Sequence, residues 1–153
     1  MNLQALLDYM QQNQYAVDIQ TETQQVYTIL KISQKEYPLF LRILDEGHLL
    51  QLLVFIPCPI DKKDLCDLAR LLHLLNKELD LPGFGLDEMA GAIFYRLMLP
   101  THKKEIDQGL LFAFLKTIEY VCKTFANPIE AVASGQMTLD EILKKVQNMD
   151  TTS

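Results

Sequence analysis

Cys66 and His73 are residue types that nucleophilic catalysis uses, and they lie seven positions apart in a segment with helical spacing. A cysteine becomes a nucleophile when a neighbouring base accepts its proton through a direct hydrogen bond. Seven residues of helix span about 10 Å, which is too far for such a bond. Cys58 lies between Pro57 and Pro59, where packing explains it better than reactivity. The sequence therefore predicts no nucleophilic site.

The sequence also lacks ligand residues at the spacings typical of metal sites. No C-x-x-C or H-E-x-x-H motif is present, and the three histidines fall in different predicted elements: His48, His73 and His102. Asp61, Asp64 and Asp67 resemble a calcium loop only superficially, since no glycine follows at the required offset. They open a predicted helix, where negative charge is favoured. We expect no metal site.

Gly83, Gly85 and Gly91 are the remaining residues of interest, because glycine-rich loops bind phosphate. Phosphate-binding glycines lie between a strand and a following helix. These three lie between a predicted helix and a predicted hairpin, so we interpret them as turn glycines. The chain is therefore expected to be no enzyme and to use no cofactor.

The composition of the chain limits the classes of partner that it is expected to bind. The chain has 153 residues, a net charge of -6 and a pI near 5.0, which disfavours nucleic-acid binding because that depends on clustered lysine and arginine. No apolar run reaches the roughly 20 residues that a membrane span needs, and the N-terminus does not resemble a signal peptide. Three cysteines do not form a disulfide scaffold. These features predict a cytoplasmic protein without membrane insertion.

The first part of the chain predicts a helix followed by a four-stranded meander. Leu3, Leu6, Leu7 and Met10 recur at helical spacing after Asn2, which predicts a helix over 3–13. Alternating or β-branched segments separated by polar turns then predict four antiparallel strands: 15–19, 26–32, 37–44 and 49–56. The last is almost wholly apolar, as expected of a strand covered on both faces.

The second part predicts two long helices, a hairpin and a terminal helix. A leucine-rich helix reaches Leu79, and strands over 84–87 and 92–99 follow. A helix from about Lys104 to Ala126 is predicted to end at Asn127 and Pro128, since a residue before proline avoids the helical region. A turn to residue 135 then precedes a helix over 138–149 that opens with a capping box.

These elements predict an α+β domain with an antiparallel sheet, in the order α-β-β-β-β-α-β-β-α-α. One domain is expected over residues 1–149, with a disordered tail at 150–153. The leucine-rich helix carries Leu71, Leu74 and Leu75 on more than one side, which exceeds what a single buried face requires. We therefore predict a homodimer with these three residues as the dimer contact.

The segment LLHLLNKELDLPGFGLDEMAGAIFYRLMLP, residues 71–100, resembles the YbjN family, whose members share the type III secretion chaperone-like fold. The shared features are a leucine-rich helix that closes on Asn76, a Gly83-Phe84 pair, a turn over 87–91 and a strand that carries Tyr95 and Arg96. The resemblance covers roughly residues 49–125, and the first 48 residues match in element order only.

Type III secretion chaperones are implied to be small, acidic, cytoplasmic homodimers that hold an extended segment of an effector. The chain is similar in charge, size and leucine content. It departs from them in a fourth strand before the middle helix and in the helix after Gly135, and both departures favour the YbjN side.

Two functions follow from the resemblance. The first is a chaperone-like protein that binds a client polypeptide, with Phe40, Arg42, Phe94 and Arg96 as the groove. These residues are alternatively core, and Arg96 is alternatively a solvent-facing residue. The second function is a regulator that acts through a signalling partner or a small ligand, as the sensory-regulator naming of YbjN-like proteins implies by analogy.

Overall fold

A computed structural model describes residues 2–150 and the side chains of residues 2–146. Four helices and six strands lie in this part of the chain, in this order: α1 Leu3–Gln12, β1 Val17–Gln20, β2 Gln25–Ile32, β3 Lys35–Leu44, β4 Leu49–Ile56, α2 Leu65–Glu78, β5 Phe84–Asp87, β6 Ala92–Pro100, α3 Gln108–Ala133 and α4 Leu139–Asp150. The predicted fold class and element order are confirmed. Of the predicted tail, Asp150 ends α4, and 151–153 lie outside the described residues.

The six strands form one antiparallel sheet in the order β1-β2-β3-β4-β6-β5. The first four strands form the predicted meander, and β6 pairs with β4 along its whole length. In β4, every second residue is fully buried and the residues between them are only half-buried. The expectation that β4 is covered on both faces is therefore wrong, because the residues on one of its two faces are only half-buried.

The core lies between the sheet and the helices. Helix α3 crosses over β2, β4 and β6 and buries Leu111, Leu115, Ile118 and Cys122 against the alternate strand residues that face it. Side chains on one sheet face are consequently excluded from water, and they include Tyr37 and Tyr95. This burial is the main source of stability in the domain, because hydrophobic free energy scales with the apolar area removed from water.

The predicted end of α3 at Asn127 is wrong, since the helix continues through Pro128 to Ala133. Proline removes one helical hydrogen bond and crowds the preceding turn. The two further turns bury Ile129, Val132 and Ala133 completely, and this packing overrides the local preference. The chain turns away after the C-cap Ser134 at Gly135, whose φ of +76° suits glycine.

The predicted start of α3 near Lys104 is also too early. Lys103 and Lys104 both have positive φ, and His102 pairs with Glu105 in an isolated bridge, so this stretch forms a tight turn. The helix begins at Gln108, where the Asp107 carboxylate accepts a hydrogen bond of 3.0 Å from the Leu110 N–H.

The interpretation as a turn glycine is wrong for Gly85, whereas Gly83 lies in the connection between α2 and β5 and Gly91 lies in the β5–β6 turn with a φ of +65°. Gly85 belongs to β5, and a Cβ atom there would lie 2.3 Å from the Phe94 ring. A Cβ atom on Gly83 would lie 2.2 Å from the carbonyl oxygen of Arg96. Both positions require glycine because another group approaches the backbone closely.

The terminal helix α4 is held at its first turn. Thr138 Oγ1 accepts a hydrogen bond from the Glu141 N–H at 3.2 Å, which confirms Thr138 as the N-cap. Asp67 of α2 accepts another from the Leu139 N–H at 3.1 Å, and Leu139 and Ile142 are buried. The first turns of α4 therefore pack on the domain. Met149, the last residue of the predicted helix, lies among the residues whose side chains the structure does not describe.

Asn76 fixes the connection between α2 and β5. Its side-chain oxygen accepts hydrogen bonds from the N–H groups of Gly83 (3.1 Å) and Phe84 (2.9 Å), and its amide donates to the Phe84 carbonyl at 2.9 Å. These three bonds replace the backbone partners that a loop of this shape cannot supply.

We expect Asn76→Ala to lower the free energy of unfolding by about 2–4 kcal/mol, because three partly buried backbone groups lose their partner. Urea unfolding followed by circular dichroism measures this loss. Asn127→Ala is the control, since its side chain accepts one exposed hydrogen bond from Lys35. Equal, small effects from both substitutions would contradict the role assigned to Asn76.

Candidate functional site

The sheet has a second face that the described helices leave uncovered, and we call it the open face. Strand alternation places one set of side chains there, and most of them are apolar and only half-buried. The apolar members are Tyr27, Ile29, Pro38, Phe40, Leu53, Phe55, Phe94 and Met98. A patch of this kind on a protein surface marks a binding site more often than a chance exposure.

Aromatic rings occupy the centre of the open face. The Tyr27 and Phe40 rings stack with centroids 5.9 Å apart, and Phe55 meets Phe40 edge-on, also at 5.9 Å. The register explains this cluster, because Tyr27 lies opposite Phe40 and Phe40 lies opposite Leu53. Large rigid rings supply contact area at a low cost in conformational entropy.

Two of the three arginines of the chain lie on the same face. Arg42 and Arg96 are exposed, and the Arg96 guanidinium lies 5.7 Å from the centroid of the Phe94 ring. Strand spacing and register separate their Cα atoms by about 12 Å. Neither arginine has a carboxylate within 4.0 Å among the residues that the structure describes. Both cations are therefore available to an incoming group.

The structure brings together all four residues that the sequence assigned to the groove: Phe40, Arg42, Phe94 and Arg96. Tyr27 and Phe55 escaped the prediction, although alternation within β2 and β4 already placed them on the same face. The signal that would have found Tyr27 is the two-residue turn at Ser33 and Gln34, which fixes Tyr27 opposite Phe40.

The three residues of the predicted dimer contact differ in how deeply the structure buries them. Leu71 is 3% exposed and belongs to the core of its own domain. Leu74 and Leu75 are half-buried and pack against that core at its edge. The homodimer stays a prediction. Of its three predicted contact residues, only Leu74 and Leu75 have side-chain surface that a partner subunit could contact.

The cysteines and histidines do not form a reactive site. Cys66 and His73 are both exposed on α2. Burial, followed by the nearby charge of Glu130, raises the pKa of the Cys58 thiol to about 11, and burial raises the pKa of Cys122 to about 12. Both thiols are protonated at neutral pH, which opposes nucleophilic attack. No group of three or more metal-ligating side chains occurs within the described part of the chain.

A cleft of about 680 Å³ lies at one end of the sheet, beside the β2–β3 turn and the end of α3. Its walls include Ile29, Pro38 and Cys58. Lys35 donates to Glu130 at 2.5 Å across the cleft and to Asn127 at 3.0 Å. The cleft is mostly apolar with one ion pair, a lining that suits a small organic molecule.

Fold and site together define a small α+β protein with one helical layer and an open aromatic sheet face. The chain belongs to the YbjN family, whose sequence pattern, described as "Putative bacterial sensory transduction regulator", matches residues 2–131. The crystal structure of YbjN from E. coli, titled a putative transcription regulator, shares the fold. It has a TM-score of 0.63 and 9% identity, and the match covers 90% of this chain and 95% of that one.

No curated protein matches the chain. Within the described residues, no helix is both long enough and apolar enough to cross a bilayer.

The buried thiols and phenols predict a loss of stability at alkaline pH. Burial raises the pKa of Tyr37 and Tyr95 to about 12, and it raises that of Tyr15 as well. The unfolded chain releases these protons from about pH 8.5 for cysteine and about pH 10 for tyrosine, whereas the folded chain retains them. Stability is therefore complete below about pH 8.5 and falls as pH rises toward 11–12.

Urea unfolding at a series of pH values measures this fall. Cys122→Ala should flatten its first part, between about pH 8.5 and 10, because one of the two thiols with a raised pKa is then absent. A free energy of unfolding that stays constant up to about pH 11 would show that these groups are not protected by burial.

Proposed function

We propose that the protein is a non-catalytic regulator that acts by binding a polypeptide on the open face of its sheet. The observation that carries this proposal is the cluster of Tyr27, Phe40 and Phe55 beside two unpaired arginines on a surface that the described helices leave uncovered. The family description as a sensory transduction regulator supports the regulatory part.

The composition of the open face favours a polypeptide as the ligand. Interface residues that contribute most to binding are enriched in aromatic residues and arginine, and they are surrounded by apolar contacts that exclude water. Arg42 and Arg96 stand beside such contacts, about 12 Å apart. The matching partner presents apolar side chains between two carboxylates. A net charge of -6 on the chain does not prevent this, because distant charges are screened within about 8 Å.

A chaperone-like function is the specific form that we favour. In that form the bound polypeptide is a client held in an extended or amphipathic conformation until it is released. A homodimer that meets through Leu74 and Leu75 would leave both open faces free, because these residues lie on α2, on the helical side of the sheet.

A small-molecule sensor is the second candidate function, and the cleft around Lys35 and Glu130 favours it. A ligand with one carboxylate or amine could exchange with this ion pair while its apolar part contacts Ile29 and Pro38. Thermal-shift screening against nucleotides and metabolites tests this candidate, since a ligand that binds only the folded state must raise Tm. Lys35→Met and Glu130→Gln should abolish a genuine shift.

The polypeptide proposal is tested by site-specific photocrosslinking. A benzoylphenylalanine introduced at Phe40 lies at the centre of the open face, and we expect it to capture a defined polypeptide in host cells. The same group introduced at Phe112, which is 49% exposed on α3, is the control for random capture. Phe94 is unsuitable for this purpose because its ring covers Gly85 and its loss would disturb β5.

Arg42→Glu/Arg96→Glu should abolish capture at position 40 and leave Tm within about 3 °C of wild type, because both side chains are exposed. Arg70→Glu is the matched control, since Arg70 is the third arginine and is exposed on α2. Capture that is unchanged in the double variant, or equal at positions 40 and 112, would exclude the open face as the docking surface.

A further inference from the structure

Strand β2, which lies toward the opposite edge of the sheet from the strand that carries Arg96, has a free backbone edge over part of its length. Strand β1 pairs with β2 only over Gln25–Thr28, so 29–32 have no strand on that side within the described residues. The β6 edge is different, because the Arg96 N–H bonds to Gly83 and Pro100 has no N–H to offer. The β2 edge is therefore the better site for an added strand.

The β2–β3 turn determines which backbone groups this edge presents. Ser33 and Gln34 both have positive φ, +52° and +67°, which defines a two-residue turn between the paired residues Ile32 and Lys35. The residues that flank such a turn are hydrogen-bonded to each other. Ile32 consequently points its backbone groups toward β3, and Ile29 and Lys31 point theirs outward.

Helix α3 forms a wall beside this edge and leaves a shallow groove of about 420 Å³. The wall carries Lys116, Tyr120 and Lys123, and Lys31 lies on the strand side. The Tyr120 ring is 60% exposed, which makes it an available apolar surface. The groove thus combines an edge of free N–H and C=O groups with three lysines and one aromatic ring.

The electrostatic balance of the groove is positive. Glu119 is the acidic residue in it, and its carboxylate already accepts hydrogen bonds from Tyr15 (2.8 Å) and Lys116 (3.2 Å). Lys31 and Lys123 have no ion pair within the part of the chain that the structure describes. Glu36 lies opposite Lys31 in the strand register and Glu119 lies one helical turn before Lys123, so the groove carries three lysines beside two carboxylates in a chain of net charge -6.

We propose that this groove binds an acidic, extended segment of a partner polypeptide, which adds to the sheet as a strand beside Ile29 and Lys31. Added strands gain main-chain hydrogen bonds from the edge and specificity from alternate side chains. Carboxylates that point to the α3 side of the sheet meet Lys123, and those that point to the opposite side meet Lys31. A second copy of the chain is a poorer occupant, because pairing two β2 edges brings the lysines of both copies together. This site borders the open face at Ile29, and Lys123 on α3 belongs to the groove alone.

The electrostatic part is tested with two acetylated peptides, one of alternating glutamate and valine and one of alternating lysine and valine. We expect the acidic peptide to bind with a Kd below about 1 mM and the basic peptide to show no binding. Lys123→Glu should weaken the acidic peptide about tenfold, and added salt should weaken it further. Lys62→Glu is the control, since Lys62 is exposed at the start of α2 and far from the groove in the chain.

The backbone part is tested by Ile29→Pro, which removes an outward N–H without touching the ladder between β2 and β3. It should abolish peptide binding, whereas Ile29→Val should retain it. Hydrogen exchange on the wild-type protein keeps the test decisive if Ile29→Pro does not fold: the acidic peptide must protect the Ile29 and Lys31 amides.

Absence of protection at these two amides, binding unaffected by Lys123→Glu, or equal binding of both peptides would each overturn the proposal.

Discussion

The contact between α3 and the sheet is the interaction on which the rest of the structure depends. The period of a strand is two, so burying one set of alternate residues under a helix fixes the direction of every other side chain. Leu52 and Tyr95 face α3 and are fully buried, and Leu53 and Phe94 must therefore face the opposite way. A slip of one residue in any strand would exchange the two faces, and the size of the core prevents it.

Helices cover only one face of the sheet, so the apolar composition of the second face needs its own explanation. Many antiparallel sheets expose polar residues there. Here the face is aromatic at its centre, with Tyr27, Phe40 and Phe55 in contact, and it carries two arginines at one side. The core lies on the other face of the sheet, and the apolar character of this face is the reason that we propose a partner for it. The lysine groove at the β2 edge adds a second cationic surface on the same acidic chain.

The elements and their order could be predicted from the sequence, because strand alternation and helical spacing are strong over most of the chain. Two local rules misled the prediction at α3. Proline normally ends a helix, but the burial of Ile129 and Val132 beyond Pro128 outweighs one lost hydrogen bond. Lys103 and Lys104 looked like a helix start, yet both adopt positive φ in a turn.

The site was partly predictable for the same reason. Phe40, Arg42, Phe94 and Arg96 were assigned to one surface by alternation within single strands, and the structure places them together. Alternation within β2 and β4 separates Tyr27 and Phe55 from the buried residues, but placing them beside Phe40 required the register between strands. That register depends on the turn at Ser33 and Gln34 for Tyr27 and on the connection at 45–48 for Phe55. The lysine groove could not be predicted at all, because Lys31 and Lys123 are distant in sequence and line one groove only through the packing of α3 beside β2.

The central claim is that a partner covers the open face, and ¹⁹F NMR of protein labelled with fluorophenylalanine tests it most directly. A soluble paramagnetic agent should broaden the half-buried Phe40 and Phe55 in the isolated protein, while Phe84, which is 7% exposed, stays sharp. In the complex with its captured partner, Phe40 and Phe55 should become protected and Phe112 should remain accessible. Protection of Phe112 with Phe40 and Phe55 still accessible would contradict the account.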